Sequence, residues 1–202
     1  MSNNVESKKL ILASSSPRRQ ELIRTLQLPY EIRVSDVNED TEPGLAPAEI
    51  VEQLSGRKAA AVCEMYKSEL SKECVVIGSD TIVVLDGLVL GKPKDSQDAF
   101  RMLSALQGRA HQVFSGVACL DLSTGVQLVD HQVTSVYMKP LTDEQIKRYI
   151  QTGEPMDKAG SYAIQGIGAT IVERIEGDYF NVVGLPMSLL SDLLKRLGIA
   201  VL

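Results

Sequence analysis

The chain has 202 residues, with 44% hydrophobic and 23% charged residues, a balance that excludes a disordered or fibrous chain and suffices for one good-sized core. A net charge of −5 argues against a partner of duplex nucleic acid, which calls for a basic face, and 4% aromatic residues without tryptophan argue against a base-stacking single-strand module. Two histidines and three widely spaced cysteines supply neither a zinc site nor a histidine-based triad, so any metal should be hard and carboxylate-held.

Residues 1–9 are polar and run into Leu10-Ile11-Leu12, too short for the apolar region of an export signal or for a membrane span. Cys63, Cys74 and Cys119 lie in apolar stretches, the pattern of buried free thiols in a reducing compartment, and a cytoplasmic protein is expected. Residues 10–13 read as a short buried strand, followed by Ser14-Ser15-Ser16-Pro17 and a helix with Leu22, Ile23 and Leu26 at helical spacing. Residues 30–34 are extended, 36–42 form an acidic loop, and 47–66 carry a long helical pattern. Residues 74–78 are apolar and β-branched, as in a buried strand, and 81–85 resume the pattern before the hairpin signal Asp86-Gly87.

Asp95 caps a helix with Ala99, Met102, Leu103 and Leu106 on one face and Gly108 just past its end. Residues 113–122 and 126–138 flank Ser123-Thr124-Gly125 as a long hairpin. A helix over 142–152, a loop at Gly153-Glu154-Pro155, a strand over 169–175 and a helix over 186–197 complete the chain. Interleaved helices and strands with antiparallel hairpins predict an α/β fold, and the lack of repeats or long linkers predicts a single domain over 1–202.

Several segments carry chemistry. At Ser14-Ser15-Ser16-Pro17-Arg18-Arg19 a strand gives way to a helix start with hydroxyls and two guanidinium groups, a phosphate cradle in composition; a capped helix with two solvated arginines is the plain alternative. Asp80 stands where the apolar strand is expected to end, a place where ligands gather in α/β sheets and a carboxylate can hold a metal or take a proton from water; a turn-forming aspartate reads equally well. Lys58 shares its side of a helix with Val51, Leu54, Ala61 and Val62, so it either snorkels outward, the commoner outcome, or enters a polar cavity. Lys92 in Gly91-Lys92-Pro93 adds a cation on a loop, and Asp36, Glu39 and Asp40 add carboxylates on another. In the glycine-rich segment 157–168, the Gln165 amide could read a base edge, donating and accepting at once, although an irregular connection explains the segment as well.

In sequence order, Ala13-Ser14-Ser15-Ser16-Pro17-Arg18-Arg19, Arg57-Lys58-Ala59, Gly78-Ser79-Asp80-Thr81, Gly91-Lys92-Pro93, Gly153-Glu154-Pro155, Asp157-Lys158-Ala159-Gly160 and Ile164-Gln165-Gly166 resemble the Maf family of nucleotide pyrophosphatases over nearly the whole chain. The resemblance implies an elongated mixed β-sheet with surrounding helices and two lobes around a central cleft, similar to inosine-triphosphate pyrophosphatases. It implies water attack at the α-phosphorus of a nucleoside triphosphate, with Mg²⁺ or Mn²⁺ as cofactor. By position, Asp80 matches the catalytic residue, Ser14, Arg18, Arg19, Lys58, Thr81, Lys92 and Gln165 are the implied substrate contacts, and Glu39 with Asp80 the metal ligands.

Arg18, Thr81 and Gln165 match the branch that resembles dTTP/UTP pyrophosphatases, whereas a sister branch acting on methylated guanine nucleotides carries Ser-Pro-Trp and Asp-Gln at the first two places. Modified pyrimidine nucleotides belong to the same expectation, and so does a house-cleaning role in nucleotide pools. One departure is Asn38, where relatives often carry another acid; Glu39 is kept as the ligand, with Asp40 able to substitute in a shifted register. The competing reading is a non-catalytic nucleotide-binding regulator of septum formation, since family members are linked with that process. A homodimer is compatible with the resemblance, and no membrane partner is expected.

Overall fold

Leu10, Ile11, Leu12 and Ala13 have no exposed face, because β1 (Lys9–Ala13) has parallel neighbours on both sides, β2 (Tyr30–Arg33) and β3 (Cys74–Leu85). Strands buried on both faces are continuously apolar and do not alternate. The computed structural model describes residues 8–34, 36–71 and 73–202. The remaining described strands are β4 (Leu88–Leu90), β5 (Ala110–Asp121), β6 (Gln127–Met138) and β7 (Val172–Glu176). The sheet order is β2-β1-β3-β5-β6-β7, with β4 paired antiparallel to the end of β3 and β7 antiparallel to β6. The mixed α/β sheet expected from the sequence is therefore present.

Six α-helices accompany the sheet among the described residues: α1 (Pro17–Arg24), α2 (Pro47–Met65), α3 (Ser96–Leu106), α4 (Asp143–Gln151), α5 (Tyr179–Val183) and α6 (Met187–Arg196). Local chemistry sets several ends. Asp95 accepts the Asp98 N–H at the start of α3, and Thr142 exchanges bonds with Gln145 at the start of α4. Asp86 and Gly87 both take positive φ, 52° and 77°, closing the β3–β4 hairpin in two residues.

The chain divides into two compact units. One holds the described residues up to Asp80 together with Gly116–His131 and Met187–Leu202; Ile11, Ala13, Ala59, Val62, Val76 and Ala118 pack its core. The other comprises Thr81–Ser115 and Gln132–Pro186, with Val83, Leu103, Leu106, Val136, Met138 and Ile146 in its core. In the first unit two glycines let α2 lie against the sheet at backbone distance. A Cβ on Gly78 would collide with the Ser55 carbonyl oxygen and stand 2.8 Å from the Ala59 nitrogen, and one on Gly116 would collide with the Val51 carbonyl.

The strand at Asp80 departs from expectation. It does not end near Ser79 but runs unbroken from Cys74 to Leu85. What ends is its neighbour: β1 stops at Ala13, opposite Gly78, so β3 outruns its parallel partner there. Helix α5 was invisible to periodicity because it has five residues, with Asp178 accepting the Phe180 N–H at its start. Residues 166–170 form a short 3-10 turn instead of extending the last strand, which begins at Val172. The cysteines are free, but only Cys74 and Cys119 are buried; Cys63 is half-buried. Burial pushes the Cys119 thiol up to about 12. No described helix is long and apolar enough to cross a membrane.

Candidate active site

Helix α2 contributes two consecutive cations with different tasks. Arg57 donates through Nη1 to the carbonyl oxygens of Asn38 and Asp40, at 2.6 and 2.8 Å, and so holds the acidic loop on both sides of Glu39. Lys58 meets two carboxylates, Asp80 Oδ1 at 2.5 Å and Glu39 Oε1 at 2.7 Å. The lysine therefore does not snorkel: its side chain is only 15% exposed, and two anions outweigh the pull of water. The tight seat of α2 on Gly78 makes the meeting possible, since Lys58 precedes Ala59, whose nitrogen faces that glycine, and Asp80 lies two residues beyond it on β3.

The same contacts distinguish Glu39 from Asp40. Asn38 Oδ1 accepts the Asp40 N–H at 2.7 Å, an Asx turn, and Glu39 is the acid that reaches Lys58. Asp40 is exposed. The asparagine that departs from the family pattern thus shapes the loop.

The Ser-Pro-Arg segment borders this cluster. Pro17 opens α1, and Ser16 before it makes no side-chain cap. Ser14 is buried, and its Oγ accepts the Ser16 N–H at 3.2 Å. Arg19 Nη1 donates to the Ser79 carbonyl at 2.9 Å, next to Asp80. Burial draws the Arg19 pKa below the usual guanidinium value, while the field of Asp80 opposes that and Arg18 adds to it. Arg18, Arg19 and Lys58 thus set three cations against Asp80 and Glu39, a local excess of positive charge on an acidic protein.

Thr81, Lys92 and Gln165 belong to the other unit. As the next residue on the strand, Thr81 points to the opposite face from Asp80, and its hydroxyl lies 2.7 Å from Ser115 Oγ. Lys92 is exposed on the loop after β4. Gln165 is half-buried and precedes the 3-10 turn at Gly166–Thr170. Here sequence reasoning overlooked Glu154, whose carboxylate accepts three hydrogen bonds, two of them from this turn. Its place in Gly153-Glu154-Pro155 was the available signal, read as a loop and as one of the family strings without a role for the carboxylate.

The pair Asp80 and Glu39 suits a hard divalent cation. Such ions commonly take one or two protein carboxylates and complete their shell with water and substrate phosphates. The two carboxylates already share one cation, the Lys58 ammonium. A separate grouping of Glu52, Asp130 and His131 is drawn together by the 2.6 Å contact of His131 Nδ1 with Glu52 and contains none of the candidate site residues that the sequence singled out.

A family profile described as Maf-like protein matches residues 9–197. The chain is 52% identical over 192 residues to a dTTP/UTP pyrophosphatase of Desulforamulus reducens, covering 95% of this chain and 98% of that one. It is 50% identical over 195 residues to a dTTP/UTP pyrophosphatase of Pelotomaculum thermopropionicum, covering 96% and 100%. Among solved structures, the Ham1 protein of Staphylococcus aureus aligns over 65% of this chain and 72% of its own, with TM-score 0.43 and 16% identity.

Proposed function

Since the chain belongs to the Maf-like protein family, we propose that it is a nucleoside triphosphate pyrophosphatase that cleaves dTTP and UTP to the monophosphate and pyrophosphate. The observation that carries the reading is the convergence of Asp80 and Glu39 on Lys58, with Arg19 anchored beside Asp80. The substrate preference rests on the names of relatives about half identical over nearly the full chain and on Arg18, Thr81 and Gln165.

Asp80 and Glu39 are the residues that would hold Mg²⁺ or Mn²⁺. Such an ion, when bound, supplies neutralisation of phosphate charge and a more acidic water. Asp80, on a rigid strand and largely buried, orients the attacking water and accepts its proton. Arg18, Arg19 and Lys58 bind the triphosphate and offset the negative charge that grows on the departing pyrophosphate. Ser14, just before the start of α1, offers a hydroxyl to phosphate oxygens. Lys92, Thr81 and Gln165 are proposed as further substrate contacts on the family motifs that they match. Free cysteines suit a cytoplasmic setting, where thiols stay reduced.

The test is a panel of nucleoside triphosphates incubated with the purified protein and Mg²⁺ or Mn²⁺, with products separated by ion exchange. Pyrophosphate and monophosphate from dTTP and UTP, ahead of purine nucleotides, is the expected result. Release of orthophosphate alone would overturn the cleavage position, and stoichiometric binding without turnover would favour the regulatory reading.

A further inference from the structure

We propose that Glu154 is a positioning residue that sets the base preference of the enzyme by clamping the turn that presents Gln165. This rests on the reading of Gln165 as a substrate contact and adds to it the group that holds the contact in place.

Gln165 has an extended backbone, and its own side chain does not cap the 3-10 turn that follows. The N–H groups at the start of such a turn need an acceptor. Glu154 supplies it: Oε2 accepts from Ile167 N at 3.1 Å and Oε1 from Gly168 N at 2.8 Å. The Tyr149 hydroxyl donates to the same Oε1 at 2.8 Å and accepts from Ala163 N at 3.1 Å. The chain is therefore gripped on both sides of Gln165, at Ala163 before it and at Ile167 and Gly168 after it.

The glycines of the segment leave no slack. A Cβ on Gly166, at φ +63°, would overlap Glu154 Oε2; one on Gly168 would overlap the Ala163 carbonyl and stand 2.6 Å from the Tyr149 hydroxyl. Burial alone would raise the Glu154 pKa, but the Gly168 N–H, the Tyr149 hydroxyl, the Ile167 N–H and nearby Lys158 outweigh it and keep the carboxylate ionised. An anion already fills this cluster of backbone donors, so the turn start is closed to phosphate. What it leaves to offer is the uncharged Gln165 amide, a donor and acceptor fit for a nucleobase edge.

The test is a double-mutant cycle on the full chain, with Glu154→Ala, Gln165→Ala and the pair, read in steady-state kinetics with UTP and CTP. Each single variant should raise KM for UTP about tenfold with kcat nearly unchanged, the mark of lost uniform binding. Each should also narrow the preference for UTP over CTP. The pair should be no worse than Gln165→Ala alone, because the clamp acts through the glutamine. Effects that multiply, or a lower melting temperature with KM unchanged, would overturn the proposal and leave Glu154 a structural residue.

If Glu154→Ala does not fold, Glu154→Gln and Tyr149→Phe enter the same cycle; Glu154→Gln, which retains one acceptor oxygen, should fall between wild type and alanine. Amide hydrogen exchange at Ile167 and Gly168 gives a readout independent of turnover. It should speed up in the Glu154 variants, and unchanged exchange would sink the clamp. Should the wild-type protein release no pyrophosphate from dTTP or UTP, the proposed reaction falls, while exchange and calorimetric UTP binding still judge the clamp.

Discussion

Two carboxylate centres of this protein are held in opposite ways. Asp80 and Glu39 are brought together by the long, charged side chain of Lys58, and Glu39 lies on a loop with its side chain 57% exposed. Glu154 is held by two backbone N–H groups of the 3-10 turn and by the hydroxyl of Tyr149 on α4. A contact made by one ammonium can be exchanged for a metal ion or a phosphate without refolding anything. A contact made by backbone donors cannot be exchanged without unmaking the turn. The first arrangement suits chemistry on a charged substrate, and the second suits keeping a neighbour in place.

The largest effect should come from Asp80→Asn, which keeps the shape of the first centre and removes its charge. We expect kcat to fall by about 10³-fold, with an unchanged melting temperature; near-normal turnover would mean that the exchangeable pair is not where the chemistry occurs.

Acid should distinguish the second unit by stability instead of rate. His111 is buried there with Nε2 2.7 Å from the Tyr162 hydroxyl, and burial lowers its pKa from 6.5 to about 4. The folded state thus favours the neutral ring, so its contribution is complete above pH 6.5 and is lost as pH falls towards 4. That loss amounts to about 3 kcal/mol at most. The lowered pKa of Glu154 acts in the same sense, since its contribution is lost as pH falls through the folded value. Denaturant unfolding between pH 7 and 4 measures the slope, and His111→Gln should flatten it; an identical slope in that variant would assign the acid sensitivity elsewhere.

Gly78→Ala tests how the first centre is assembled. The added methyl forces α2 away from β3, at a cost of about 1–3 kcal/mol by analogy with other overpacked sites. Activity should fall along with stability, because Lys58 moves with the helix. Stability lost without activity would separate Lys58 from the seat of α2. The smallest contrast compares neighbours on the acidic loop: Glu39→Gln should lower kcat/KM about tenfold, roughly 1.4 kcal/mol, while Asp40→Asn should change it less than twofold. The reverse ranking would restore the shifted register.

Much of this molecule was legible in one dimension. The continuous apolar runs of β1 and β3, the Asp86-Gly87 hairpin, the Asp95 cap and the long pattern of α2 depend on neighbours a few residues away, and each lies within a residue or two of its expected place. The order of the Ser-Pro-Arg, Arg-Lys-Ala and Gly-Ser-Asp-Thr strings, which the sequence alone displays, pointed to the family that the profile match supports.

Other features depend on contacts between segments far apart in the chain, which local pattern does not encode. Lys58 looked like a snorkelling lysine because its two partners stand 19 and 22 residues away, on a loop and on a strand. Asp80 looked like the end of a strand because only the sheet register reveals that the neighbour, and not β3 itself, stops there. Glu154 looked like a loop residue because the backbone donors that occupy it lie 13 and 14 residues further on. Residue types and spacing determined which side chains are suited to phosphate and metal chemistry; only the tertiary fold decided which carboxylates share a lysine and which is consumed by the backbone.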